Sequence, residues 1–151
     1  MKLSKHFMLQ EFLASQISER QGFTEQFEPS PEIIKNLTYL AERLEDVRAL
    51  LSTPMYINSG FRCHALNNFL GSKPTSSHTQ GYAVDFRTLD SRTPRDIVSL
   101  IVNSDIEYDQ VIQEFYNPNV VGSGWVHLSF HPDKPRKEAL IIDKKGTRLF
   151  S

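Results

Sequence analysis

The sequence predicts an α+β fold, a small central antiparallel sheet with helices packed on one face. Three observations carry this reading. From Pro31 to Leu51 apolar residues recur at helical spacing, and the first half of the chain is dominated by such segments. The second half holds short apolar runs punctuated by Gly, Pro and Asn. Those late runs are joined by short connections, which favour antiparallel neighbours. No β-α-β alternation and no internal repeat appears. The 151 residues suit a single domain, with a helical segment over residues 1–52 packed on a core over residues 53–151.

The elements follow in order. Leu9 to Ser18 reads as a short helix with Phe12 and Leu13 inward, followed by a polar loop from Gln21 to Pro29. Ser30 is a good N-cap, and Pro31 suits the first helical position, where its missing N–H costs nothing. Ile33, Leu37, Leu40, Leu44, Val47 and Leu51 form one apolar stripe, and Pro54 stops the helix. Met55 to Ser59 reads as a strand. Cys63 to Leu70 reads as a helix ended by Gly71. Ala83 to Arg87 is a strand, and Thr93-Pro94 opens a helix running to about Asn103. Gln110 to Phe115, Trp125 to Phe130 and Ala139 to Asp143 are the remaining strands, the last turned at Lys144-Lys145-Gly146.

Composition excludes several classes. A net charge of −1 with scattered basic residues gives no electrostatic footprint for nucleic acid. A single cysteine, Cys63, rules out an intramolecular disulfide framework. No stretch approaches the roughly 20 apolar residues of a membrane span. The start, Met1-Lys2-Leu3-Ser4-Lys5-His6, leads into no apolar signal region. The expectation is a monomer made in the cytoplasm without a signal peptide.

The chemistry concentrates in two segments, Ser77-His78-Thr79-Gln80-Gly81-Tyr82-Ala83-Val84-Asp85 and Trp125-Val126-His127. Side chains alternate faces along a strand. Val84 and Phe86 therefore share one face, and Asp85 takes the other. Likewise Val126 and Leu128 oppose Trp125 and His127. Asp85 and His127 can thus meet on the face opposite the apolar core. His78 lies in a loop leading into the first of these strands, with Gly81 giving the backbone freedom to bring it in. Two histidines and a carboxylate leave a fourth position open, the arrangement of a catalytic zinc. A general base is still required, and Glu114 is the candidate. Its parity matches Ile112, and the pattern leaves its face open.

The spelling Ser76-x-His78-x-x-Gly81-x-Ala83-x-Asp85 resembles the signature of the zinc D-Ala-D-Ala carboxypeptidases and L-alanyl-D-glutamate endopeptidases. Trp125-Val126-His127 is similar to that family's second histidine motif, and Asn58-Ser59-Gly60-Phe61-Arg62-Cys63 to its Ser-Gly-Phe-Arg element. The motifs stand in the family's order, and the stretch Phe7 to Ser15 with the long helix resembles the branch found in phage and bacterial genomes. One departure matters. Many members place the acidic base three residues before the second histidine, where this chain has Gly124. Members with an upstream Glu-Phe element are the better match, which again points to Glu114.

The resemblance implies one Zn2+ per chain held by His78, Asp85 and His127. It implies catalytic roles for Glu114 as base and Arg62 as carboxylate anchor or carbonyl polariser. Arg62, Ser76, Ser77 and Trp125 would contact substrate, although the two serines also suit local capping. The implied activity is hydrolysis of peptidoglycan stem peptides at a D-Ala-D-Ala or L-Ala-D-Glu bond. The alternative is a non-catalytic, metal-stabilised wall-binding or phage structural module. An endolysin-like protein of this kind would reach the cell wall by holin release or on a virion.

Overall fold

The computed structural model describes residues 1–151. Six α-helices and six strands follow one another as α1 (Leu9–Leu13), α2 (Gln16–Gln21), a 3-10 turn (Thr24–Phe27), α3 (Pro31–Leu51), β1 (Met55–Ser59), α4 (His64–Phe69), α5 (Ser77–Gln80), β2 (Ala83–Thr88), α6 (Pro94–Val102), β3 (Gln110–Glu114), β4 (Trp125–Ser129), β5 (Glu138–Asp143) and β6 (Gly146–Leu149). The strands form one sheet in the order β1-β2-β4-β3-β5-β6. No helix is long and apolar enough to cross a membrane. The chain divides into two compact units, one of residues 1–45 and 59–84, the other of residues 46–58 and 85–151.

In the first unit, the helix expected over Leu9 to Ser18 is two helices. Ala14 leaves the helical region, and Ser15 caps α2 by accepting from the Ser18 N–H at 3.1 Å. The unit closes around Gln26, which is fully buried. Its amide donates to the carbonyls of Leu13 and Phe61 at 3.0 and 2.8 Å, and its oxygen accepts from the Cys63 N–H at 2.9 Å. One side chain thus satisfies three backbone groups that lie outside any ladder. Gly60 sits against Phe12 so closely that a Cβ would meet the Phe12 carbonyl oxygen at 2.7 Å. The Phe61 N–H donates to that same carbonyl at 2.8 Å, which fixes the approach.

In the second unit the register of β3 against β4 is antiparallel, pairing Ile112 with His127 and Glu114 with Trp125. The antiparallel pairing expected of the late strands holds for β3 with β4 but not at the next edge, where β3 and β5 run parallel with Gln110 opposite Glu138. The reason is topological. β4 is flanked by β2 and β3, so β5 cannot lie beside β4 and takes the open edge of β3. The chain from 130 to 137 therefore passes around the start of β3 instead of turning back on β4. Asp109 anchors that passage. Its buried carboxylate accepts from the Arg136 guanidinium at 3.0 and 2.9 Å and from the Arg136 backbone N–H at 2.9 Å. The final strand β6 is fully exposed, so no alternation marks it in the sequence, and it pairs antiparallel with β5. Helix α6, capped by Thr93 with Asp96 answering in a capping box, packs on β3 and β4. Its Ile97 lines the same cavity as Phe86 and Val126, so it covers the face opposite His127 and Glu114.

Two stability predictions follow from these anchors. Gln26→Leu leaves three buried backbone groups without partners and should cost about 3 kcal/mol, at about 1 kcal/mol or more for each, measured by urea denaturation. Burial alone would raise the Asp109 pKa, but the Arg136 hydrogen bonds hold it below the usual carboxylate value. A depressed pKa stabilises the fold above the unfolded value and loses that contribution as pH falls through the folded one. Asp109→Asn should therefore cost about 2 kcal/mol at pH 7. The gap to wild type should narrow as pH drops below about 4, which thermal melts across that range would show.

Candidate metal centre

His78 is built into the first unit from its backbone outward. Ser76 caps the one-turn helix α5 by accepting from the His78 N–H at 3.3 Å, and Gly81 ends it in the left-handed region at φ 79°. His78 thus stands on a short helix, where the sequence suggested a loop. A Cβ on Gly81 would meet Leu37 at 3.3 Å, so glycine serves both the turn and the packing. The buried imidazole has Nδ1 at 2.7 Å from the Gly60 carbonyl. A carbonyl only accepts, so Nδ1 carries the proton and Nε2 keeps its lone pair. That is the orientation device of metal-binding histidines.

Asp85 and His127 come from the sheet. Both are buried, and Asp85 Oδ1 lies 3.1 Å from His127 Nδ1. One donor atom from each of His78, Asp85 and His127 lies within 4.8 Å of the others. Zinc bonds of 2.0–2.1 Å in a tetrahedron place neighbouring donors about 3.3 Å apart. The Asp85–His127 spacing matches that edge, and the donor set of two imidazoles and one carboxylate is one that zinc takes. The residues present fit the ion.

The register settles what parity left open for Glu114. Directly paired residues share a sheet face, so Ile112 and Glu114 lie on the face of His127 and Trp125. Glu114 Oε1 is 4.0 Å from His127 Nδ1. Gly124, three residues before His127, cannot carry a side chain here. Its φ is +76°, and a Cβ would lie 2.6 Å from the Glu114 carbonyl oxygen. The residue that lacks a carboxylate abuts the strand that supplies one.

Arg62 is half-buried and held at three points. Nε donates to Ser59 Oγ at 3.2 Å and Nη1 to Ser72 Oγ at 3.3 Å, while its backbone N–H donates to the His78 carbonyl at 3.1 Å. Ser76 acts as a cap, and Ser77 lies in the first turn of α5. Trp125 faces Glu114 across the ladder and stacks on Phe115 with ring centroids 5.4 Å apart. Sequence reasoning missed Gln26 and Ser72. Gln26 lies in a stretch whose polarity reads as loop, and Ser72 in a Gly-Ser-Lys-Pro run with no periodicity. No local signal marks either one.

Residues 5–125 match the model of the Peptidase M15 family, a match that stops two residues short of His127. No curated protein matches the chain.

Protein purified in zinc-supplemented buffer should contain about one zinc per chain by elemental analysis. Asp85→Ala should abolish it, and with it the rise in melting temperature on zinc addition.

Proposed function

The chain belongs to the peptidase M15 family, and from that premise we propose that it is a zinc peptidase hydrolysing peptidoglycan stem peptides, at a D-Ala-D-Ala or an L-Ala-D-Glu bond. The observation that carries this reading is the His78, Asp85 and His127 donor set with Glu114 on the same sheet face beside it. His78, Asp85 and His127 would hold the ion. Bound zinc supplies Lewis acidity, lowering the pKa of a coordinated water to about 7 and polarising a carbonyl oxygen.

The chain's own residues then divide the remaining work. Glu114 accepts a proton from the attacking water and delivers it to the nitrogen of the leaving amine. This is the transfer that a positioned carboxylate performs in general acid–base catalysis. Arg62, with its fork oriented by Ser59 and Ser72, anchors a substrate carboxylate or supports charge on the scissile carbonyl. Trp125 and Phe115 supply an aromatic wall beside Glu114. The substrate's peptide nature follows from the family, and its origin in the cell wall is the proposal.

The test is incubation of zinc-loaded protein with purified peptidoglycan, with products identified by mass spectrometry. Released D-Ala assigns the carboxypeptidase bond, and a new D-Glu amine assigns the endopeptidase bond. Glu114→Gln should lower kcat by about 10²–10⁴ with zinc content unchanged. Binding to the wall with neither product formed would sink the proposal.

A further inference from the structure

The turn between α4 and α5 carries Ser72, whose Oγ accepts from Arg62 Nη1 at 3.3 Å. The turn itself lies at the surface. Gly71, Lys73, Pro74 and Thr75 are all exposed, and a Cβ on Gly71 would meet nothing within 4 Å. Its anchor is Asn67, a residue of α4 that is only 1% exposed. The Asn67 side-chain nitrogen donates to the Ser72 and Lys73 carbonyls at 3.4 and 3.0 Å. The Asn67 backbone carbonyl accepts from the Ser72 N–H at 3.1 Å. One residue therefore grips Ser72 on both sides of its Cα. Arg62, Asn67 and Ser72 all belong to the first unit.

The second observation concerns the other half of the same amide. Asn67 Oδ1 is buried and has no hydrogen-bond partner. Both donors of the amide are used, and neither lone pair of its oxygen is. A buried polar atom left unpaired opposes folding, so stability alone does not account for asparagine at this position. Alanine would be the better helix former and would remove the orphaned oxygen. It would also leave the Lys73 carbonyl paired, because that carbonyl accepts from the Ser76 N–H as well, at 3.0 Å. What alanine would lose is the grip on the turn.

We propose that Asn67 is a positioning residue for Arg62. By clamping the turn it holds Ser72 Oγ in place, and Ser72 Oγ in turn fixes the rotation of the planar guanidinium that Ser59 holds at Nε. Asn67 acts through Ser72 and not on the substrate. The consequence for catalysis rests on the role proposed for Arg62 above, whereas the clamp on its side chain does not.

The test reads Arg62 directly. In ¹⁵N-labelled, zinc-loaded protein the Arg62 Nε–H signal, assigned by its loss in Arg62→Lys, should exchange slowly with solvent. Asn67→Ala and Ser72→Ala should each speed that exchange several-fold, because a fork freed at Nη1 opens its Nε contact more often. Ser72→Thr keeps the hydroxyl and should exchange as the wild type does. The melting temperature of Asn67→Ala should stay within about 3 °C of wild type, since the lost donors and the removed oxygen offset one another. With stem peptide as substrate, kcat/KM should fall about tenfold in each alanine variant. It should fall no further in the double variant, because the two residues act in one chain of contacts. Altered Arg62 exchange with no cleavage of any stem peptide would sink the peptidase reading and uphold the clamp. Unchanged Arg62 exchange in Asn67→Ala, a large fall in its melting temperature, or additive losses in the double variant would each overturn the assignment.

Discussion

The hydrogen bond from His78 Nδ1 to the Gly60 carbonyl, at 2.7 Å, is the constraint on which the rest of the site depends. It sets the tautomer of one ligand and leaves a lone pair on Nε2. It also demands that the Gly60 backbone be held still, and the first unit is arranged to do so. Phe12 presses against Gly60 with no room for a Cβ, and the Phe12 carbonyl takes the next N–H. Gln26 then ties Phe61 and Cys63 to Leu13. Arg62 sits between these fixed points, and its backbone reaches back to the His78 carbonyl. The orientation of His78 and the position of Arg62 thus share one support.

The sheet supplies the other half by register. A shift of one residue between β3 and β4 would send the Glu114 carboxylate to the face opposite His127. The pairing is secured at the far end, where the Asp109–Arg136 contact carries the chain around β3 into a parallel β5. Gly124 secures it at the near end, packed on the Glu114 backbone where no side chain fits. The glycine that departs from the usual motif is thus a packing requirement of a strand that carries its own carboxylate.

Much of this was legible in the sequence, and the reasons are physical. Periodicity gave α3, because burial on one face imposes it, and short apolar runs gave β2 to β4, which are buried on both faces. Caps gave the starts of α3 and α6, because Ser30 and Thr93 precede a proline. The clustering of His78, Asp85 and His127 was legible because these types are rare together and the strand parity of Asp85 and His127 was consistent. What stayed hidden depends on long-range contact. The parallel β5 follows from which sheet edge remained open, which no local pattern records. The face of Glu114 needed the β3–β4 register, and the buried role of Gln26 needed partners 13 and 35 residues away. The exposed strand β6 has no alternation to read.

The two imidazoles and one carboxylate of His78, Asp85 and His127 form a cluster that could hold a zinc ion. X-ray absorption at the zinc edge of the loaded protein tests it most directly. The expected result is a four-coordinate shell of two imidazole nitrogens and two oxygens at about 2.0–2.1 Å. A sulfur shell at about 2.3 Å, which would bring in Cys63, or a shell with fewer than two imidazoles, would contradict it.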